Sequence, residues 1–117
     1  MNKILIIDDF ITARIYLKLR IKKRFEDVLD IHMASDLKQG LELMSENTYI
    51  HVICDLRMPN STTEEIISEI EQRCSLKNRT FMSAKKWQNF DGLLGFVQKH
   101  YDYSEQIEDR VAECITV

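Results

Sequence analysis

The sequence predicts an α/β domain in which a parallel sheet is wound on both faces by helices. Three observations predict it: short β-branched apolar runs, helix-period stretches between them, and a regular alternation of the two along 117 residues. Ile4–Ile7 is a continuous apolar run closed by Asp8 and Asp9, and it reads as the first strand. Its lack of polar alternation suits a strand covered on both faces. Phe10, Ala13, Leu17, Ile21 and Phe25 recur every three or four residues, which predicts a first helix with those five facing the core. Ile31–Ala34 reads as the second strand, and Leu37, Leu41 and Met44 mark the second helix. Tyr49–Cys54 is the third strand, closed by Asp55. Ser61-Thr62-Thr63-Glu64 has the capping-box spacing and opens a third helix carrying Ile67, Ile70 and Cys74. Thr80–Met82 and Gly95–Val97 supply the fourth and fifth strands. Ser104 is expected to cap the last helix, with Ile107, Val111 and Cys114 inward.

Composition narrows the function. With 44% hydrophobic and 30% charged residues the chain is neither disordered nor of low complexity. Its length fits one domain, residues 1–117. A net charge of −3 argues against a surface built for direct nucleic-acid binding. No apolar run approaches the roughly 18 residues of a membrane span, so no membrane insertion is expected. The opening residues are too acidic for a secretory signal. Cys54, Cys74 and Cys114 are odd in number and widely spaced, which reads as reduced thiols in a cytoplasmic protein.

In doubly wound sheets, function sits at the carboxyl ends of the strands. There the chain places Asp8 and Asp9 after the first strand, Asp55 after the third, Ser83 after the fourth and Lys99 after the fifth. If the first and third strands are neighbours, three carboxylates converge. Like charges that close need raised pKa values or a bound cation, and an all-carboxylate, water-filled site suits Mg²⁺. Carboxylates, a metal, a hydroxyl and an ammonium together describe phosphoryl handling, with a carboxylate oxygen as nucleophile. A lone Asp-Asp pair is most often a helix cap; the ordered set across four strand ends is what carries the functional reading.

The chain resembles the receiver domain of bacterial response regulators, on four separated motifs in order: Ile6-Ile7-Asp8-Asp9, Cys54-Asp55-Leu56-Arg57-Met58-Pro59, Phe81-Met82-Ser83-Ala84 and Gly95-Phe96-Val97-Gln98-Lys99. The resemblance implies a flavodoxin-like (βα)5 fold with strand order 2-1-3-4-5. It implies that Asp55 takes a phosphoryl group from a histidine kinase or histidine phosphotransfer protein and signals onward to a downstream target protein. It further implies that Asp9, Asp55 and the backbone carbonyl of Arg57 hold Mg²⁺, with Asp8 acting mostly through water, and that Ser83 and Lys99 bind the phosphoryl oxygens. Phe96 falls at the family's switching aromatic. Such a domain signals and catalyses its own phosphorylation and dephosphorylation; it is not classed as an enzyme. Because the chain stops soon after the last helix, a stand-alone receiver is expected.

Departures from the family pattern are specific. His100 replaces the usual Pro after the Lys, and Thr63 replaces the Gly that usually ends the loop after the third strand. Arg57 stands at the mouth of the acidic pocket, either solvated or as a counter-charge. Only 11 residues run from Ala84 to Leu94, so the fourth helix is expected to be shortened, to about two turns over Trp87–Leu93. A degenerate receiver working as a phosphorylation-independent interaction module is the alternative reading. An aspartate-nucleophile phosphatase is disfavoured because Arg57 stands where its acid/base Asp belongs. A flavin carrier is disfavoured because Asp8-Asp9 would repel a phosphate.

The first helix poses a separate question. Ile11, Ile15 and Leu19 form a second apolar stripe at i, i+4 and i+8, with Arg14, Lys18 and Lys22 between it and the first. Either a neighbouring helix covers this stripe, or it is an exposed ridge on which the phosphodonor docks. His32, His51 and His100 show no metal spacing and read as structural.

Overall fold

The computed structural model describes residues 1–84, 93–100 and 103–115. Its strands are β1 (Asn2–Ile7), β2 (Leu29–Ala34), β3 (His51–Asp55), β4 (Arg79–Ser83) and β5 (Phe96–Gln98). Its helices are α1 (Ile11–Phe25), α2 (Leu37–Glu46), α3 (Thr63–Arg73) and α4 (Tyr103–Ala112). All strand pairs are parallel and the sheet order is β2-β1-β3-β4-β5. The fold is the doubly wound, flavodoxin-like one expected. The shortened fourth helix, placed at Trp87–Leu93, falls almost wholly outside the described residues; Leu93, which is described, is not helical.

β1 shows why apolar runs without alternation predict this architecture. Ile4, Leu5, Ile6 and Ile7 are all fully buried. Leu5 and Ile7 face the layer that contains Leu37 of α2 and Ile66 and Ile70 of α3. Ile4 and Ile6 face the opposite layer, with Leu17 and Ile21 of α1 and Ile107 and Val111 of α4. Each such side chain contributes roughly 1.5–3 kcal/mol of burial, so the sheet has no register in which a polar residue could replace one cheaply.

Three local expectations are corrected. Phe10 is not in the core: it is 62% exposed, because helix α1 begins only at Ile11 and its buried stripe is Ala13, Leu17 and Ile21. Helix α3 starts one residue later than the capping box implied. Thr62 is the N-cap, its Oγ1 accepting the Glu65 N–H at 3.1 Å. Ser104 lies inside α4 rather than capping it; it is buried, and the Tyr16 hydroxyl donates to its Oγ at 3.2 Å.

The Gly-to-Thr departure at Thr63 is accommodated without a left-handed turn there. The positive φ of the β3–α3 loop falls on Asn60 (φ 68°), a residue type that tolerates it. Thr63 opens α3, and its hydroxyl donates to the Leu56 carbonyl at 2.9 Å, closing the loop.

Candidate functional site

The site is assembled by strand register. Ile7 of β1 pairs with Cys54 of β3, so the next residues along each strand, Asp8 and Asp55, emerge together at the carboxyl edge. Asp8 is fully buried, Asp55 is 6% exposed and Asp9 is open to solvent. A carboxylate oxygen from each of the three lies within 4.8 Å of the others. From the far side of the sheet, the Lys99 Nζ donates to Asp8 Oδ2 at 2.5 Å and to Asp55 Oδ2 at 2.6 Å. The Lys99 amide donates to the Ser83 carbonyl at 2.7 Å, which ties the end of β5 to the end of β4. Ser83 is fully buried at that strand end.

Backbone groups hold the remaining oxygens. Asp8 Oδ1 accepts the Phe10 N–H at 2.9 Å, and Asp55 Oδ1 accepts the Arg57 N–H at 2.8 Å. Helix α1 has no capping side chain on its N-cap, Phe10, so the Asp8 carboxylate does part of that task. Arg14, one turn into α1, donates from Nη1 to the Asp8 carbonyl at 2.7 Å. The sequence places Arg14 only between the two apolar stripes of the first helix. Its position one turn after Phe10 is the signal that it could reach back to the loop.

Electrostatics follow from burial and charge. Burial pushes the Asp55 carboxyl above its usual range; the Lys99 ammonium and the Arg57 amide pull the other way, and Asp8 adds to the rise. Burial alone would lower the Lys99 pKa, but attraction to Asp55 and Asp8 outweighs it and holds the ammonium above its ordinary value. Three carboxylates against one shared ammonium leave a negative site built wholly from oxygen donors. The donor chemistry fits a hard divalent cation that keeps part of its water shell, with exposed Asp9 at the solvent side.

Arg57 is exposed at the mouth of this pocket. Phe96 is half-buried and packs against the α2–α3 layer. Ile11, Ile15 and Leu19 are 58%, 45% and 60% exposed, so no helix among the described residues covers the second stripe of α1. Part of the adjoining cationic face is paired within the chain: Arg24 reaches Asp109 at 2.7 Å and Glu108 at 3.8 Å, and Arg20 reaches Glu108 at 3.9 Å.

Comparison with known proteins gives a consistent answer. The sequence profile of the response regulator receiver domain matches residues 4–109. Among solved structures, the response regulator TrrA of Thermotoga maritima, in complex with Mg(2+)-BeF, superposes with a TM-score of 0.75 at 21% identity, covering 98% of this chain and 100% of that one. A two-component transcriptional regulator, AraC, of Clostridium phytofermentans gives 0.77 at 25% identity, covering 98% and 92%. The chemotaxis response regulator CheY4 of Vibrio cholerae gives 0.73 at 17% identity, covering 98% and 99%. No curated protein matches the chain. No helix among the described residues is long and apolar enough to cross a membrane.

Proposed function

The chain belongs to the response regulator receiver domain family, and from that premise we propose that it accepts a phosphoryl group on Asp55 in a Mg²⁺-dependent reaction and signals by a change of conformation. The observation that carries the reading is the Lys99 ammonium bonded at once to Asp8 and Asp55 at the end of neighbouring strands. A carboxylate oxygen of Asp55 is the nucleophile, with Oδ1 oriented by the Arg57 amide. Lys99 and the Ser83 hydroxyl serve the phosphoryl oxygens, where negative charge must be neutralised as the group transfers. Asp8, Asp9, Asp55 and the Arg57 backbone carbonyl would hold Mg²⁺. When bound, that ion supplies Lewis-acid neutralisation of the same oxygens. The complex of the Thermotoga relative with Mg(2+)-BeF supports this choice of ion.

The phosphodonor is a histidine kinase or histidine phosphotransfer protein, and the exposed ridge Ile11, Ile15 and Leu19 is its docking surface. Arg14 and Lys18 lie beside that ridge, which favours a partner face with acidic residues around an apolar centre. The downstream recipient is a protein. The test is incubation with acetyl phosphate, with and without Mg²⁺, followed by intact mass. One phosphoryl group should be gained only with Mg²⁺, and the gain should vanish in Asp55→Asn. An adduct that persists in that variant sinks the assignment.

A further inference from the structure

The two faces of the sheet carry opposite charge. Helix α1, on one face, holds Arg14, Lys18, Arg20, Lys22, Lys23 and Arg24 and no acidic residue. Helix α3, on the other, holds Glu64, Glu65, Glu69 and Glu71 against Arg73. Between α2 and α3 runs a groove made of two concavities, of about 460 and 320 Å³, that share Leu41 and Ser45. Leu37, Leu41 and Met44 form its apolar floor, over the core layer on that face. Glu42 of α2 and Glu65 of α3 stand exposed on its rim, with Glu69 one turn beyond Glu65. Cations border it as well: Arg73 pairs with Glu69 at 2.6 Å, and Lys38 lies one turn before Glu42. An apolar floor between carboxylates suits a basic amphipathic helix laid along it.

The chain itself carries such a helix. Lys18 and Lys22 run beside the exposed ridge Ile11, Ile15 and Leu19 of α1, whereas Arg20 and Arg24 turn to Glu108 on α4. From Ile11 to Leu19 the ridge spans about 12 Å by the helical rise, and α2, one wall of the groove, is about 15 Å long. Lys18 and Lys22 are one turn apart, as Glu65 and Glu69 are, so the two charged rows repeat at the same spacing of about 6 Å. We propose that α1 of one copy docks in the α2–α3 groove of a second copy, ridge on floor and lysines against glutamates. Ridge and groove lie on opposite faces of the sheet, so one molecule cannot join its own and two cannot exchange both contacts. The contact is therefore head-to-tail, with a free ridge at one end and a free groove at the other, and it propagates. It does not depend on Asp55 being the acceptor. A ridge seated in a neighbour is closed to the phosphodonor, so assembly and phosphotransfer compete for α1.

The experiment is sedimentation velocity of the purified protein over a range of concentrations, at low and at high salt. The mean mass should climb with concentration past that of a dimer, and fall when salt screens the charges. Lys18→Glu with Lys22→Glu reverses the ridge; Glu42→Lys with Glu65→Lys reverses the groove. Each double variant alone sets like charge against like and should stay monomeric. Mixed in equal amounts the two should assemble again, since each ridge then meets a groove of opposite charge in the other variant. Thermal melts check the fold, which substitutions of surface charges change little. A monomer at every concentration, a mass that levels at a dimer, or variants that stay apart when mixed overturns the proposal. Assembly that survives reversal of the groove alone puts the contact elsewhere and overturns it too.

Discussion

Lys99 is the charge that lets two buried carboxylates, Asp8 and Asp55, remain side by side. Removing it leaves like charges in a site with little access to water, which costs about 3 kcal/mol by analogy with broken buried ion pairs. Lys99→Met should therefore unfold at lower urea at pH 7.5. Without the ammonium the Asp55 carboxyl, already raised by burial, rises further. A folded-state pKa above the unfolded value gives stability that is lost as pH rises through it, so the defect should shrink toward pH 4.5. Equal defects at the two pH values would show that Lys99 does not compensate the acids. His51 sits at the opposite end of β3, between Thr80 Oγ1 at 2.6 Å and Cys114 Sγ at 3.4 Å. Burial, helped by the Arg110 cation, lowers its pKa to about 4. Between the ordinary value of about 6.5 and 4, the unfolded chain takes up a proton that the folded chain refuses. Stability should fall by about 3 kcal/mol across that acidification. The difference between the unchanged protein and His51→Gln in urea melts at pH 7 and 4.5 measures it; a constant difference would mean that His51 is protonated in the fold. Asp8, Asp9, Asp55 and Lys99 were legible as a cluster because strand ends can be read from apolar runs. The Arg14 contact and the exposure of Phe10 were not, because both depend on where α1 starts, and no side-chain cap at Phe10 marks that start.

At the scale of elements, α1 carries two apolar stripes and one helix can bury only one of them against the sheet. Ala13, Leu17 and Ile21 are the buried stripe; Ile11, Ile15 and Leu19 are not. Ile15→Ser and Leu19→Ser should each change stability by less than about 1 kcal/mol, as exposed substitutions do. Transfer from a partner phosphohistidine, measured relative to acetyl phosphate labelling, should slow. A large drop in melting temperature would put these side chains in the core and remove the docking role. Helix α2 shows the opposite constraint. A Cβ added at Gly40 would lie 2.5 Å from Ile7 Cδ1, and Ile7 is fully buried, so its side chain has nowhere to yield. Gly40→Val should cost about 2 kcal/mol by overpacking, read as a lower urea midpoint; a neutral result would mean that α2 can lift from β1. The periodicity of α1 located the helix but not its first turn. The capping box located α3 to within one residue because Thr62 and Ser61 offer the same hydroxyl. Ser104 misled for a related reason: a serine inside a helix can bond across to another element, here Tyr16, rather than to its own first turn.

For the molecule as a whole, sheet order turns separated motifs into a site. β1 stands between β2 and β3, and β4 and β5 follow on the side of β3, so all four chemical strand ends share one edge. That order was legible only through resemblance, since apolar runs identify strands without saying which are neighbours. Parallel pairing follows from the alternation itself, because each crossover needs a helix between strands. The acidic edge lies over two apolar layers that meet the sheet from opposite sides, and this fixes the carboxylates relative to Lys99. Under the proposed function Asp55, and not its neighbours Asp8 or Asp9, is the nucleophile at this edge. Borohydride reduction of the protein labelled with acetyl phosphate and Mg²⁺, followed by peptide mass mapping, tests it most directly, because reduction converts an aspartyl phosphate to homoserine. Homoserine in place of Asp55 alone is the predicted result; homoserine in place of Asp8 or Asp9, or a phosphoryl group that resists reduction and maps elsewhere, would contradict it.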